Sequence, residues 1–319
     1  MPRGQEPPPA PTRSRPVHDE FNGIPHGPRV NRPAMIRRSA HARRYAGLCI
    51  ALVLASADTQ PAFAQDASNW DKGSYSSARL VAGARREGTA ILRAGVEIRL
   101  AEGWKTYWRY PGDSGLPPRF DLAASDNVES VTVLWPAPQR FTDETGTSIG
   151  YRQDVVFPLH VTPKDRGKPV RLRLKLEYAV CEKLCVPAEA KTELLLSGRA
   201  GAHETLLARA EAAVPKAATL GESTAFAIRT VMKQAGAPHA RIMVDIAAQP
   251  GAPLDLFAEG PTPDWALPLP KEIAGAPAGL RRFVFELDGM PPGIKPDGAL
   301  LRLTATAPGK AIEVVTRLD

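Results

Sequence analysis

The chain has 319 residues, 43 % hydrophobic and 24 % charged, the balance of a globular protein that buries a core. Residues 1–64 hold nine arginines and four acidic residues, so the formal charge of +7 falls to +2 once they are set aside. That near-neutral remainder argues against a nucleic-acid partner, and 32 prolines with 26 glycines between short apolar runs argue for an all-β chain over a helical one.

Residues 1–34 are Pro- and Arg-rich without apolar periodicity. They are read as an over-long gene start, with Met35 as the true first residue, or as a disordered tail. Arg37, Arg38, Arg43 and Arg44, the apolar run Tyr45–Ala57 and the small residues of Ala62-Phe63-Ala64 together form a secretory signal over 35–64, with cleavage predicted after Ala64. The apolar run is shorter than the about 20 residues of a membrane span. The expectation is a protein exported to the periplasm that does not itself span a membrane. Cys49 leaves with the signal, and Leu48 before it argues against a lipoprotein site. The mature chain then keeps two cysteines, Cys181 and Cys185, in an oxidising compartment.

From about Tyr75 the sequence reads as strands: Arg79–Ala84, Thr89–Leu100, the aromatic run Trp104–Tyr110, Phe120–Leu122, Val128–Trp135, Tyr151–Val161, Val170–Val180 and Thr192–Leu196. Arg171 to Tyr178 alternates strictly, which predicts one buried and one solvated face. About eight short strands resemble an immunoglobulin-type sandwich, assigned to residues 70–200. Residues 203–214 carry Leu206, Leu207, Ala210 and Val214 at helical spacing before Pro215, and 201–221 are read as a short helical connector. A second, smaller β-sandwich is expected over 222–319, with strands Phe226–Met232, Ala240–Ala247, Leu254–Phe257, Leu280–Leu287, Ala299–Ala305 and Ala311–Leu318. It carries no cysteine and no evident chemistry.

The chemistry concentrates in Cys181-Glu182-Lys183-Leu184-Cys185, directly after the alternating strand and before Val186-Pro187. Thiols four residues apart reach the Cα separation of roughly 5.5–6 Å that a disulfide prefers if the chain turns between them. So small a ring removes little unfolded-state entropy, about 2 kcal/mol against nearly 5 for a hundred-residue loop. A reversible redox pair and a plain structural disulfide both fit. Metal binding is the weakest reading, because zinc takes four ligands and only His160, His203 and His239 accompany the thiols. Lys183 would lower a thiolate pKa and Glu182 would raise it.

A lone i, i+4 cysteine pair at a strand end followed by proline resembles the N-terminal periplasmic domain of the thiol:disulfide interchange protein DsbD, in its ScsB-type form with two sandwich units. Gly103-Trp104-Lys105-Thr106-Tyr107-Trp108-Arg109, the loop Pro111-Gly112-Asp113-Ser114-Gly115 and Trp135-Pro136 are similar to the same type. The resemblance implies a disulfide carrier with protein-disulfide reductase activity and no cofactor, in which Cys181 and Cys185 are the catalytic pair. By the same analogy Cys185 forms the mixed disulfide with a thioredoxin-fold periplasmic client and Cys181 resolves it. It also implies a cap over the sulfurs from Gln139–Ile149, where Phe141 shields and Asp143 or Glu144 tunes the thiols. This sequence lacks the aromatic residue that follows the acidic pair in the better-known pattern, and a solvated hairpin loop is the competing reading. By strand alternation Trp104 and Trp108 share one face, read as core, and Tyr107 takes the other, towards the disulfide. Arg109 and Asp113 are read as a loop salt bridge rather than as site groups.

The sequence holds no multi-span membrane domain and no thioredoxin module with C-x-x-C. Electrons are therefore expected from a separate membrane-embedded electron-transfer protein or a thioredoxin-like donor. The rival reading is a non-enzymatic immunoglobulin-like periplasmic adaptor with a structural disulfide. No Gly-x-Ser-x-Gly elbow, phosphate loop or paired-His signature supports a hydrolase or transferase.

Overall fold

The computed structural model describes residues 65–112, 115–143, 146–236 and 238–318. The tail and signal expected over 1–64, together with Asp113 and Glu144, lie outside the described residues. The first group of strands comprises β1 (Asp71–Lys72), β2 (Ser76–Arg85), β3 (Leu92–Leu100), β4 (Lys105–Gly112), β5 (Arg119–Asp121), β6 (Val128–Val133), β7 (Gln139–Asp143), β8 (Gly146–Tyr151), β9 (Val155–Pro163), β10 (Val170–Cys181) and β11 (Cys185–Leu196). The helix α1 (Glu204–Ala212) follows. The second group is β12 (Lys216–Ala217), β13 (Ala227–Gln234), β14 (Arg241–Ala247), β15 (Asp255–Glu259), β16 (Lys271–Ile273), β17 (Leu280–Glu286), β18 (Leu300–Ala307) and β19 (Lys310–Arg317). The all-β expectation holds.

Two sheets enclose the first core. One runs β1-β2-β3-β9-β6 and the other β11-β10-β4-β8-β7, with β5 paired on β10. In β10 the alternation works as the sequence predicts: Val170, Leu172, Leu174, Leu176, Tyr178 and Val180 point into the core. Arg171 and Arg173 stay on the outer face and pair with Glu193 of β11. Each buried aliphatic side chain contributes roughly 1.5–3 kcal/mol, whereas the exposed ion pairs add little. Near its end β10 departs from this rule. Ala179 and Cys181, on the outer face, are buried as well, under Tyr107. The second core lies between the sheets β12-β19-β18-β15 and β13-β14-β17-β16.

Two local expectations need correction. Residues 139–149, read as a cap loop, fall within the hairpin β7–β8, whose polar sequence hides edge-strand pairing. The strand expected from Thr192 begins at Cys185 and pairs with β10 over its whole length. It tolerates Pro187 because β11 is an edge strand, where a missing amide donor faces no neighbour. The helix α1 packs against the first group of strands. Leu207 is fully buried against Val81 and Val156, and Arg93 holds Glu204 and Glu211 at 2.6 and 2.8 Å. Gly83 and Gly95 form the notch it sits in, because a Cβ at either would lie within 2.6 or 2.8 Å of the Leu207 side chain.

The two cores touch. Phe257 of β15 joins the first core and tilts against Trp108 with ring centroids 5.7 Å apart. Arg140 of β7 donates to the carbonyls of Leu256 and Pro270 and pairs with Asp255 at 3.0 Å.

Gly150 shows how tightly β4 and β8 approach. A Cβ there would lie 2.0 Å from the Thr106 carbonyl oxygen and 2.8 Å from the Tyr107 Cα. Both obstacles are backbone and cannot rotate away. Gly150→Ala is expected to cost about 3 kcal/mol or more, beyond ordinary overpacking, measured by urea unfolding. A loss below about 1 kcal/mol would show that β4 and β8 separate freely.

Candidate functional site

Strand β10 ends on Cys181 and β11 starts on Cys185, so the three residues Glu182, Lys183 and Leu184 form a hairpin turn with the two cysteines directly opposed across its mouth. Cross-strand opposition brings their Cα atoms into disulfide range. Both are free cysteines, with sulfurs 2.6 Å apart. Their environments differ. Cys181 is buried, whereas Cys185 is exposed. Next to it Leu184 is 79 % exposed at the hairpin tip.

Strand β4 supplies the floor. Its register sets Thr106 opposite Val180 and Lys105 opposite Cys181. Residues opposite one another share a face, so Lys105 and Tyr107 stand on the side of the cysteines while Trp108 enters the first core. Trp104, stacked on Tyr75 with centroids 3.9 Å apart, packs on that core too. The Tyr107 hydroxyl lies 2.9 Å from the Cys185 sulfur. Its ring is buried with Ala179 and Cys181, and Gly115 lies flat against it, a Cβ there meeting the ring at 2.4 Å. Burial, then bonding to the two thiols, pushes the Tyr107 phenol far above its usual range, so it stays protonated and can donate to sulfur.

Burial is also the largest influence on Cys181 and drives its pKa up; the bond to Cys185 adds to this. Bonding from Tyr107 and the charge of Lys105 act in the opposite direction. The cation that bears on this thiol is thus Lys105, which sequence reasoning missed. Lys183 is exposed in the turn, and the Glu182 carboxylate lies above Gly103. Lys105 is itself buried, with Nζ 2.6 Å from the Asp143 carboxylate and 3.4 Å from the Ser148 hydroxyl. A clue was available in the parity of β4, since Lys105 shares its side with Tyr107.

The remaining expected site residues fall as follows. Asp143 ends β7 and reaches the site through Lys105. Phe141 is buried, and the Arg152 guanidinium covers its ring at 4.5 Å. The ring packed on Cys181 is Tyr107. Of the expected loop pair, Asp113 lies outside the described residues, and Arg109 reaches across to the second core. It binds Glu259 of β15 and Glu313 of β19, at 2.7 and 2.5 Å, because β4 carries it to the junction of the two cores. Among the described residues no group of three or more His, Cys, Asp or Glu is placed to hold a metal ion, and no helix is long and apolar enough to cross a membrane.

Residues 84–197 match the family model for the N-terminal part of the thiol:disulfide interchange protein DsbD. That segment contains both cysteines, β4 and the β7–β8 hairpin. The fold is similar to the crystal structure of the N-terminal periplasmic domain of ScsB from Proteus mirabilis, with a TM-score of 0.61 and 21 % identity over 79 % of this chain and 97 % of that one. No match was found among curated proteins.

Proposed function

We propose, from the match of residues 84–197 to the DsbD N-terminal family, that this protein is a periplasmic thiol–disulfide exchange protein that carries reducing equivalents through Cys181 and Cys185 to thioredoxin-like clients. The observation that carries the reading is the asymmetry of the pair: one exposed cysteine with its sulfur in contact with that of one buried cysteine, held in a turn and bonded by a buried phenol. Exchange needs in-line thiolate attack on one reachable sulfur, and Cys185 offers it.

In the proposed cycle a donor dithiol reduces the disulfide. Its thiolate attacks the Cys185 sulfur, the bond between the cysteines breaks, and Cys181 leaves with the electron pair and takes a proton. The second donor thiol, as thiolate, then displaces Cys185, completing a transfer of two electrons and two protons. Onward transfer runs the same steps towards the client. The Cys185 thiolate attacks the client disulfide, and Cys181 closes on Cys185, expelling the client thiol in reduced form. The donor is a membrane-embedded electron-transfer protein or a thioredoxin-like domain. In this reading residues 35–64 export the chain, 70–200 form the redox domain, 201–221 link, and 222–319 form the second sandwich.

A redox titration of the purified protein against glutathione and dithiothreitol tests the proposal. A potential between roughly −180 and −270 mV is expected for a carrier. A value below about −300 mV would mark a structural staple and favour an adaptor role instead.

A further inference from the structure

A buried lysine ammonium is costly unless it is paired. Lys105 is 4 % exposed, and the register of β4 on β10 sets it directly opposite Cys181. Asp143 reaches it from β7, two strands away across β8, and Ser148 of β8 adds a weaker contact. One cation is thus shared between a carboxylate and a thiol. Among the described residues, the other charged or titratable groups around Cys181 are Cys185 and Tyr107, which touch the sulfur pair, and Glu182 and Lys183, exposed in the turn.

We propose that Lys105 is a positioning residue for exchange: its ammonium stabilises the Cys181 thiolate, and Asp143 sets how much of that charge the sulfur receives. The proposal rests on the exchange reading above and deepens it. When a donor thiolate attacks Cys185, the disulfide breaks and the bonding pair departs on Cys181. The negative charge then develops on the buried cysteine of the pair, where burial disfavours it. Lys105 supplies the stabilisation there, and the thiolate later takes its proton from solvent. On the return path the same charge keeps Cys181 available as the thiolate that closes on Cys185. The direction of the effect on Cys181 agrees with this, the Lys105 charge opposing a rise that burial causes first.

The test measures alkylation of Cys181 against pH in the reduced full chain carrying Cys185→Ala, read by mass spectrometry of the Cys181 peptide. Lys105→Met is expected to move the midpoint to higher pH and to lower the rate at pH 8 about tenfold, the effect of one pKa unit. Asp143→Asn releases the ammonium from its counter-ion and is expected to move the midpoint to lower pH, raising that rate several-fold. Lys105→Arg keeps the charge and should stay near the parent. Shifts of opposite sign support the proposal; shifts of the same sign, or none, overturn it. Should Lys105→Met fail to fold, Asp143→Asn alone decides, and an unchanged or raised midpoint overturns the idea. A disulfide inert in the redox titration would defeat the exchange reading while leaving this thiolate titration readable.

Discussion

Cys185→Ser is expected to abolish thiol–disulfide exchange while leaving the fold intact. Cys185 is the exposed cysteine of the pair, so its loss removes the thiol proposed to meet a donor or client. The structural consequence is small, because a ring of about five residues constrains the unfolded chain by only about 2 kcal/mol. Cys181→Ser behaves differently. It keeps the attacking thiol and removes the one that resolves, so a mixed disulfide with a thioredoxin-fold partner should accumulate, visible on non-reducing gels. Accumulation in Cys185→Ser rather than in Cys181→Ser would reverse the order of the two thiols. Exchange at the parental rate in Cys185→Ser would remove the pair from the chemistry altogether.

The parts of this site that the sequence discloses are those governed by local period. Strict alternation from Arg171 to Tyr178 leads the chain to Cys181, and parity along β4 separates Trp104 and Trp108 from Tyr107. The parts it conceals depend on which strands become neighbours. Gln139 to Ile149 is too polar to read as strand, yet it forms most of the hairpin that delivers Asp143 and Ser148 to Lys105. Without that hairpin Lys105 is one more charged residue in an aromatic run. Arg109 is opaque for the same reason, since its partners lie 150 and 204 residues away. The docking of the helix was equally hidden, because Gly83 and Gly95 matter only once β2 and β3 pair and Leu207 arrives between them.

Arg109→Met is expected to destabilise the protein by about 3 kcal/mol, the range for removing one partner from a buried ion pair. The guanidinium donates to both oxygens of Glu259 and to Glu313, and it lies over the Trp108 ring at 4.3 Å. All three charged side chains are about one-fifth exposed or less. Methionine preserves the contact with the ring but strands the carboxylates. Glu313 retains Arg302, so the penalty concentrates on Glu259. Adding Glu259→Gln to Arg109→Met should therefore recover part of the loss, which a simple packing defect at position 109 would not allow. Urea unfolding followed by tryptophan fluorescence measures both effects. If the ion pair couples the two cores, the variant should also unfold in two steps, because Trp108 reports on one core and Trp265 on the other. A single transition with less than about 1 kcal/mol lost would mean that Phe257 and the Arg140 contacts suffice to hold the cores together, and that Arg109 is replaceable.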